Sequence, residues 1–408
     1  MTPRPRHYDV EASPEDRKGT RQQPPGIKGR ISHFTWSNFA CTMSTGAIAV
    51  VLSQQPFTFD GLNVIGKIFF ILDLVLLLAF MATMVTRFVL QPWKFTKSLH
   101  YPKEALFFGS FWVSIALVLT CTQQYGVPSC GPWLVKALEV CFWLYAACAL
   151  LVAIFQYCTL FVAEQMPVSS AMPAWVFPVY PFLVIGPLAA VLIPSQPQSS
   201  ALPIFVGGVL LQGLGWTVAM FMYSIYVIRL MSNELPPPST RPGMFISVGP
   251  AGYTSAGLVA LGNQAPNVIP QDFLSLPNFD VGAAIKVLGV MSGIFVWLVA
   301  FWFFALSLVA VLTGVRKMSF TLNWWAFIFP NAGMILAAIQ IGMVLNSTGI
   351  KAVTSGMTIL LVVAWLFTAG SHIVAVVRKQ IWWQGRDEDD GMEDQISSGL
   401  KSLVHDSH

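Results

Sequence analysis

The chain is written as a series of long apolar runs, and that restricts it to very few folds. Ten stretches, at roughly 37–53, 64–90, 104–122, 133–163, 172–193, 202–230, 243–261, 281–313, 321–345 and 353–378, carry few charges between their ends. In hydrocarbon a backbone must satisfy its own N–H and C=O groups, so only helices and closed barrels span a bilayer. Runs near 20 residues fit helices. Composition agrees: 55% of the 408 residues are hydrophobic and 10% are charged, against about 25% charged in a soluble domain. The expectation is an all-α integral membrane protein with ten transmembrane helices. A net charge of +4 gives no reason to invoke nucleic acid.

Ten spans place both termini on one side. With that side cytoplasmic, 19 of the 23 Lys and Arg residues fall there, and only Lys67, Lys136, Lys286 and Lys351 lie elsewhere. The positive-inside rule therefore predicts cytoplasmic termini. Residues 1–32 are polar, Pro-rich and basic, and read as a disordered cytoplasmic tail; 381–408 read as an acidic one. Residues 33–380 form the transport-sized membrane domain between them. Cys121 and Cys130 share the outer segment "CTQQYGVPSCGPW". A disulfide and two free thiols both remain open there.

The odd-numbered spans begin near 37, 104, 172, 243 and 321, at intervals of 67, 68, 71 and 78 residues. One two-helix unit used five times fits this pattern. The odd members hold most of the breakers: "SNFACTMSTGAIA", "AWVFPVYPFLVIGP", "RPGMFISVGPAGYTSAGL" and "WWAFIFPNAGM". The even members are longer and richer in Leu, Val and Ile. Irregular backbone at membrane depth is tolerated only inside protein or along a water-filled cavity. The broken helices are therefore expected inside and the smooth ones outside, as five hairpins in a pseudo-fivefold ring around a central pore. The broken helices carry almost no ionisable side chains. The embedded acids Asp73 and Glu139 lie on even helices, where Lys136 stands three residues before Glu139 and can pair with it. A pathway without carboxylate rings suits anions.

Several polar residues are candidates to handle such an anion, each with a structural alternative. Asn38, Thr42 and Thr45 recur at helical spacing and share a face. Gln212 sits beside glycines in "LQGLGW". Asn331 follows Pro330, which is expected to kink the ninth helix and leave the carbonyl of Ala326 without its usual donor. Arg241 opens the seventh span as "RPG", where a guanidinium and a helix N-terminus could both face an anion. Arg87 closes the second span as an anchor or an anion collector. His33 and His372 lie near inner helix ends, where a titratable ring suits proton coupling and a structural ring is commoner. There is no phosphate-binding loop, no metal-ligand spacing and no covalent nucleophile signature. The chain is not expected to be an enzyme or to hold a metal or cofactor.

The segments "HFTWSNFACTMSTG", "GLNVIGK", "PAWVFPVYPFL", "QGLGW", "RPGMFISVGPAG" and "WWAFIFPNAGM" together resemble the tellurite-resistance/dicarboxylate transporter family, and within it the fungal malic acid transport proteins. The resemblance covers about 33–378. It implies the slow-anion-channel fold, a homotrimer, and a pore occluded by a phenylalanine of the ninth helix, here Phe329. It also implies dicarboxylate anions as cargo at the plasma membrane, with protons as a partner or channel-like flow instead. Sulfite efflux pumps are cousins, so a sulfite or small inorganic anion exporter is the alternative.

Overall fold

The computed structural model describes residues 27–382, apart from 164–165 and 277–278. The remainder of both expected tails lies outside the described residues. The described residues are helical and contain no strand. Ten helices carry the core: α1 Phe39–Ser53, α2 Leu62–Leu90, α3 Phe108–Cys121, α4 Pro132–Ala163, α5 Ile185–Leu192, α6 Gln198–Ser232, α7 Val248–Val268, α8 Val281–Leu312, α9 Phe329–Val344 and α10 Thr348–Val377. Nine helical runs among the described residues are long and apolar enough to cross a membrane. The run built on α1 is not one of them; with Ser, Thr and Asn along it, it is shorter and less apolar than the others.

Odd and even helices differ as their sequences suggest. The even ones run unbroken for 29 to 35 residues. Most odd ones are entered through a separate 3₁₀ segment: Trp36–Asn38 before α1, Pro173–Val179 before α5, Pro238–Ser247 before α7 and Leu322–Phe327 before α9. A short turn, Pro102–Ala105, precedes α3. Prolines mark these junctions. Pro181 and Pro330 sit in the first turn of a new helix, where a missing N–H costs nothing. This corrects the expectation that Pro330 kinks a continuous ninth helix. The chain stops at Phe327 and restarts at Phe329, with Ile328 N–H on the Trp325 carbonyl at 3.1 Å and Ala332 N–H on the Ile328 carbonyl at 2.9 Å.

Burial follows the same division. The most apolar stretches of Pro173–Ser195 and Pro238–Val268 are each 89% buried, against 22% for α2 and 28% for α10. Every residue of α1 from Phe39 to Leu52 is buried. The even helices instead expose Ile68, Leu144, Phe221, Phe295 and Leu360, which is the surface a bilayer would solvate. Among the odd helices, α1 packs on α3 and α9, α3 on α5, α5 on α7, and α7 on α9. Each even helix lies against its own odd partner and a second odd helix: α2 on α1 and α3, α4 on α3 and α5, α6 on α5 and α7, α8 on α7 and α9, α10 on α9 and α1.

Two features hold the broken helices together. Tyrosine hydroxyls donate to carbonyls near the breaks: Tyr145 to Pro181, Tyr180 to Ile246, Tyr223 to Ser247 and Tyr253 to Phe329, at 2.6–3.2 Å. Small residues supply close approach. A Cβ on Gly252 of α7 would lie 2.6 Å from the Met334 nitrogen of α9. The described ends of the chain also meet, since Trp382 donates to the Asn38 amide oxygen at 3.0 Å. Ile27–Ser32, assigned to the tail from sequence, is a short helix, and Lys94 donates to the Ser32 carbonyl. Cys121 and Cys130 are both free thiols, one buried and one exposed, and the Lys136–Glu139 pair forms at 2.9 Å.

Gly252→Ala should lower stability by about 1–3 kcal/mol, the usual cost of overpacking a tight contact. Gly213→Ala, with open space around it, should be neutral. Thermal unfolding of the purified protein in detergent checks both.

Candidate functional site

The segments that lead into the odd helices surround a cavity of about 1220 Å³. It opens at the end of the molecule where the described chain ends meet. Its walls include His33, Asn38, Tyr101, Lys103, Arg229, Thr240, Asn323 and Trp382. Lys103 and Arg229 are its cations, and no Asp or Glu is among the described lining residues. A cavity walled this way has a positive potential and attracts anions. Phe107 and Ile246 also line it.

From Phe107 a chain of rings leads into the core. Phe107 packs on Phe177 with centroids 4.9 Å apart, Phe177 on Tyr180 at 5.2 Å, and Tyr180 on Phe329 at 5.5 Å. Tyr253 stacks on Phe329 at 4.7 Å. Phe329 itself is fully buried. Gly333, one turn later on α9, makes room for the Tyr253 ring, because a Cβ there would overlap it. The "FPNAG" motif thus positions Phe329 through its proline and accommodates the ring beside it through its glycine.

The polar candidates from sequence are mostly engaged within the protein. Asn38 donates to the Thr35 carbonyl at 3.0 Å and accepts from Trp382, although it lines the cavity. Thr42 joins Ser114 of α3 at 2.7 Å. Thr45 donates to the Cys41 carbonyl and accepts from Trp365 of α10. Gln212 accepts from Gly186 N–H and donates to Thr254, so it ties α6 to α5 and α7. Asn331 donates to the Phe327 carbonyl at 2.9 Å, while its Oδ1 is buried with no partner among the described residues. His372 accepts from Trp325 Nε1 at 3.2 Å, and His33 lines the cavity. Asp73 is buried on α2 against Gly46, outside this set.

The structure places the arginines in three different settings. Arg241 does not line the cavity. It donates through Nε to the Pro236 carbonyl, and through Nη1 to the Ala310 carbonyl and Thr313 Oγ1, at 2.9–3.0 Å. A helix ends with unsatisfied carbonyls and a negative dipole, and Arg241 meets both at the end of α8. Arg87 forms a buried two-point ion pair with Glu104, so its charge is already neutralised. The arginine that reaches the cavity is Arg229, on the last turn of α6. From sequence it counted only toward sidedness. The available signal was its spacing: Tyr223, Tyr226 and Arg229 stand three apart and share one helix face.

A family profile described as SLAC1, voltage-dependent anion channel, matches residues 33–373. The chain is 31% identical to the malic acid transport protein of Schizosaccharomyces pombe, over 89% of this chain and 83% of that one. It is 27% identical to the sulfite efflux pump SSU1 of Arthroderma benhamiae, over 86% of this chain and 93% of that one. It is 25% identical to an uncharacterized transporter of Methanocaldococcus jannaschii, over 84% and 94%. These agree with the resemblance read from the motifs.

Arg87→Met alone should cost about 3–5 kcal/mol, because it strands a buried carboxylate. Adding Glu104→Met should restore most of that loss. Unfolding curves of the single and double variants measure the difference.

Proposed function

Because the chain belongs to the voltage-dependent anion channel family, we propose that it is a plasma-membrane transporter or channel for C4-dicarboxylates: malate, with succinate and fumarate. The observation that carries this reading is the cationic cavity free of described carboxylates, set at the mouth of the buried odd helices. In the proposed arrangement α1 is the tenth span. The five odd helices close a ring, the even helices face lipid, and both termini are cytoplasmic. The cycle of neighbours among α1, α3, α5, α7 and α9 supports it. The protein acts as a homotrimer, as the family resemblance implies.

In this reading anions gather in the cavity and pass along the axis of the ring, and Phe329 is the gate. Its support is its position: fully buried, at the head of α9, and held between Tyr180 and Tyr253. Thr42, Thr45 and Gln212 shape the path chiefly by bonding its helices together, while Asn38 faces the cavity and Asn331 keeps a buried Oδ1, unpartnered among the described residues, beside Phe329. Two negative charges entering against an inside-negative potential face about 2.3 kcal/mol per charge per 100 mV. Import therefore needs a proton partner or a steep gradient, and export needs neither. Sulfite or another small inorganic anion is the second reading, favoured by the similarity to a sulfite efflux pump.

Radiolabelled malate flux into proteoliposomes tests the substrate. Saturable malate flux, competed by succinate and fumarate and indifferent to sulfite, is the expected result; sulfite flux without malate flux selects the second reading. The same assay tests the gate. Phe329→Ala should raise passive anion leak if the path is channel-like, or abolish coupled flux if it is carrier-like. Phe327, which packs on Phe245 at 5.3 Å, is the control, and its truncation should cost packing alone. Wild-type flux from Phe329→Ala would remove Phe329 from the path.

A further inference from the structure

The last turns of α6 carry a row of three side chains on one face: Tyr223, Tyr226 and Arg229. The Tyr223 hydroxyl donates to the Ser247 carbonyl at 2.6 Å. The other two have no such use. Tyr226 Oη, Arg229 Nε and Arg229 Nη1 are all buried without a hydrogen-bond partner among the described residues. Tyr226 is 3% exposed and Arg229 is 9% exposed, yet Arg229 lines the cavity. Among the described residues the candidate counter-ions are otherwise placed. Glu104 is paired with Arg87, and Glu234 is exposed and outside the lining.

A buried guanidinium without an acceptor carries a desolvation cost with nothing to offset it. Such unsatisfied groups are uncommon in native proteins, and an ion or ligand is one thing that satisfies them. Arg87 and Arg241, by contrast, each donate to acceptors within the protein. We propose that Arg229 and Tyr226 form a binding site for one carboxylate of the transported anion. The planar guanidinium matches a planar carboxylate in charge and shape. The phenol adds a neutral O–H donor beside it. Because Arg229 lies in the cavity wall, an anion in the cavity can reach it without unfolding any element. The ligand class rests on the dicarboxylate reading above; the unpartnered donors do not.

The test uses the full-length protein, purified and reconstituted, with malate and sulfite as probes. Three variants separate the roles: Arg229→Gln, Arg229→Lys and Tyr226→Phe. Arg229→Gln should raise the KM for malate at least ten-fold and abolish the rise in Tm that malate gives the wild type. Its Tm without malate should hold or increase, because an unpaired buried charge has been removed. Arg229→Lys should fall between, and Tyr226→Phe should raise KM a few-fold with unchanged Tm. Tyr226→Phe removes only a hydroxyl that has no partner to lose, so it decides the matter if Arg229→Gln does not fold. Wild-type KM in both Arg229→Gln and Tyr226→Phe overturns the site and leaves the dicarboxylate reading standing. A wild type that moves and binds sulfite but not malate overturns carboxylate as the ligand, together with that reading.

Discussion

Breaking a helix inside a dry interior releases backbone carbonyls that water cannot reach, and each must find a donor. The core of this protein answers that constraint with tyrosine. Tyr145, Tyr180, Tyr223 and Tyr253 each donate to a carbonyl at or beside a break. A phenol suits the task because its ring is apolar and packs in the core while its single hydroxyl reaches the backbone. These bonds let the odd helices be interrupted at all, and the interruptions place Phe329 and the cavity.

The same bonds couple the elements around Phe329. Tyr253 of α7 stacks on the Phe329 ring and donates to the Phe329 carbonyl. Tyr180, just before α5, also packs on the Phe329 ring and donates to the Ile246 carbonyl. Any rotation of the Phe329 ring therefore meets two rings anchored to other helices. Packed cores tend to have discrete arrangements rather than continuous ones. The glycines Gly252 and Gly333 allow α7 to approach closely enough for this stacking.

The arginines show how burial assigns work that residue type does not. Arg87, Arg229 and Arg241 all sit near span ends, where a sidedness rule counts them alike. In the fold, one neutralises a carboxylate, one caps the carbonyls of α8, and one faces the cavity with buried donors unpartnered among the described residues. The partners Glu104 and Ala310 lie 17 and 69 residues away. A one-dimensional pattern does not carry that pairing.

Hydropathy, proline placement and repeat spacing were legible in the sequence because they are local. They located most of the long helices to within a few residues, although the seventh runs on to Val268 and the tenth begins earlier, at Thr348; they also separated interrupted odd helices from smooth even ones and identified the family through clustered motifs. They also gave the Lys136–Glu139 pair, which needs only helical periodicity. The start of α9 was misread because a proline looks the same inside a kinked helix and in the first turn of a new one; only the Trp325–Phe329 backbone path distinguishes them. The fates of Asn38, Thr42, Thr45 and Gln212 depended on neighbours such as Trp382, Ser114, Trp365 and Thr254, each far away in sequence. The tertiary structure decided which donors were consumed and which were left over. A hydrogen bond across helices depends on where two distant side chains meet, and no spacing along one chain encodes that meeting.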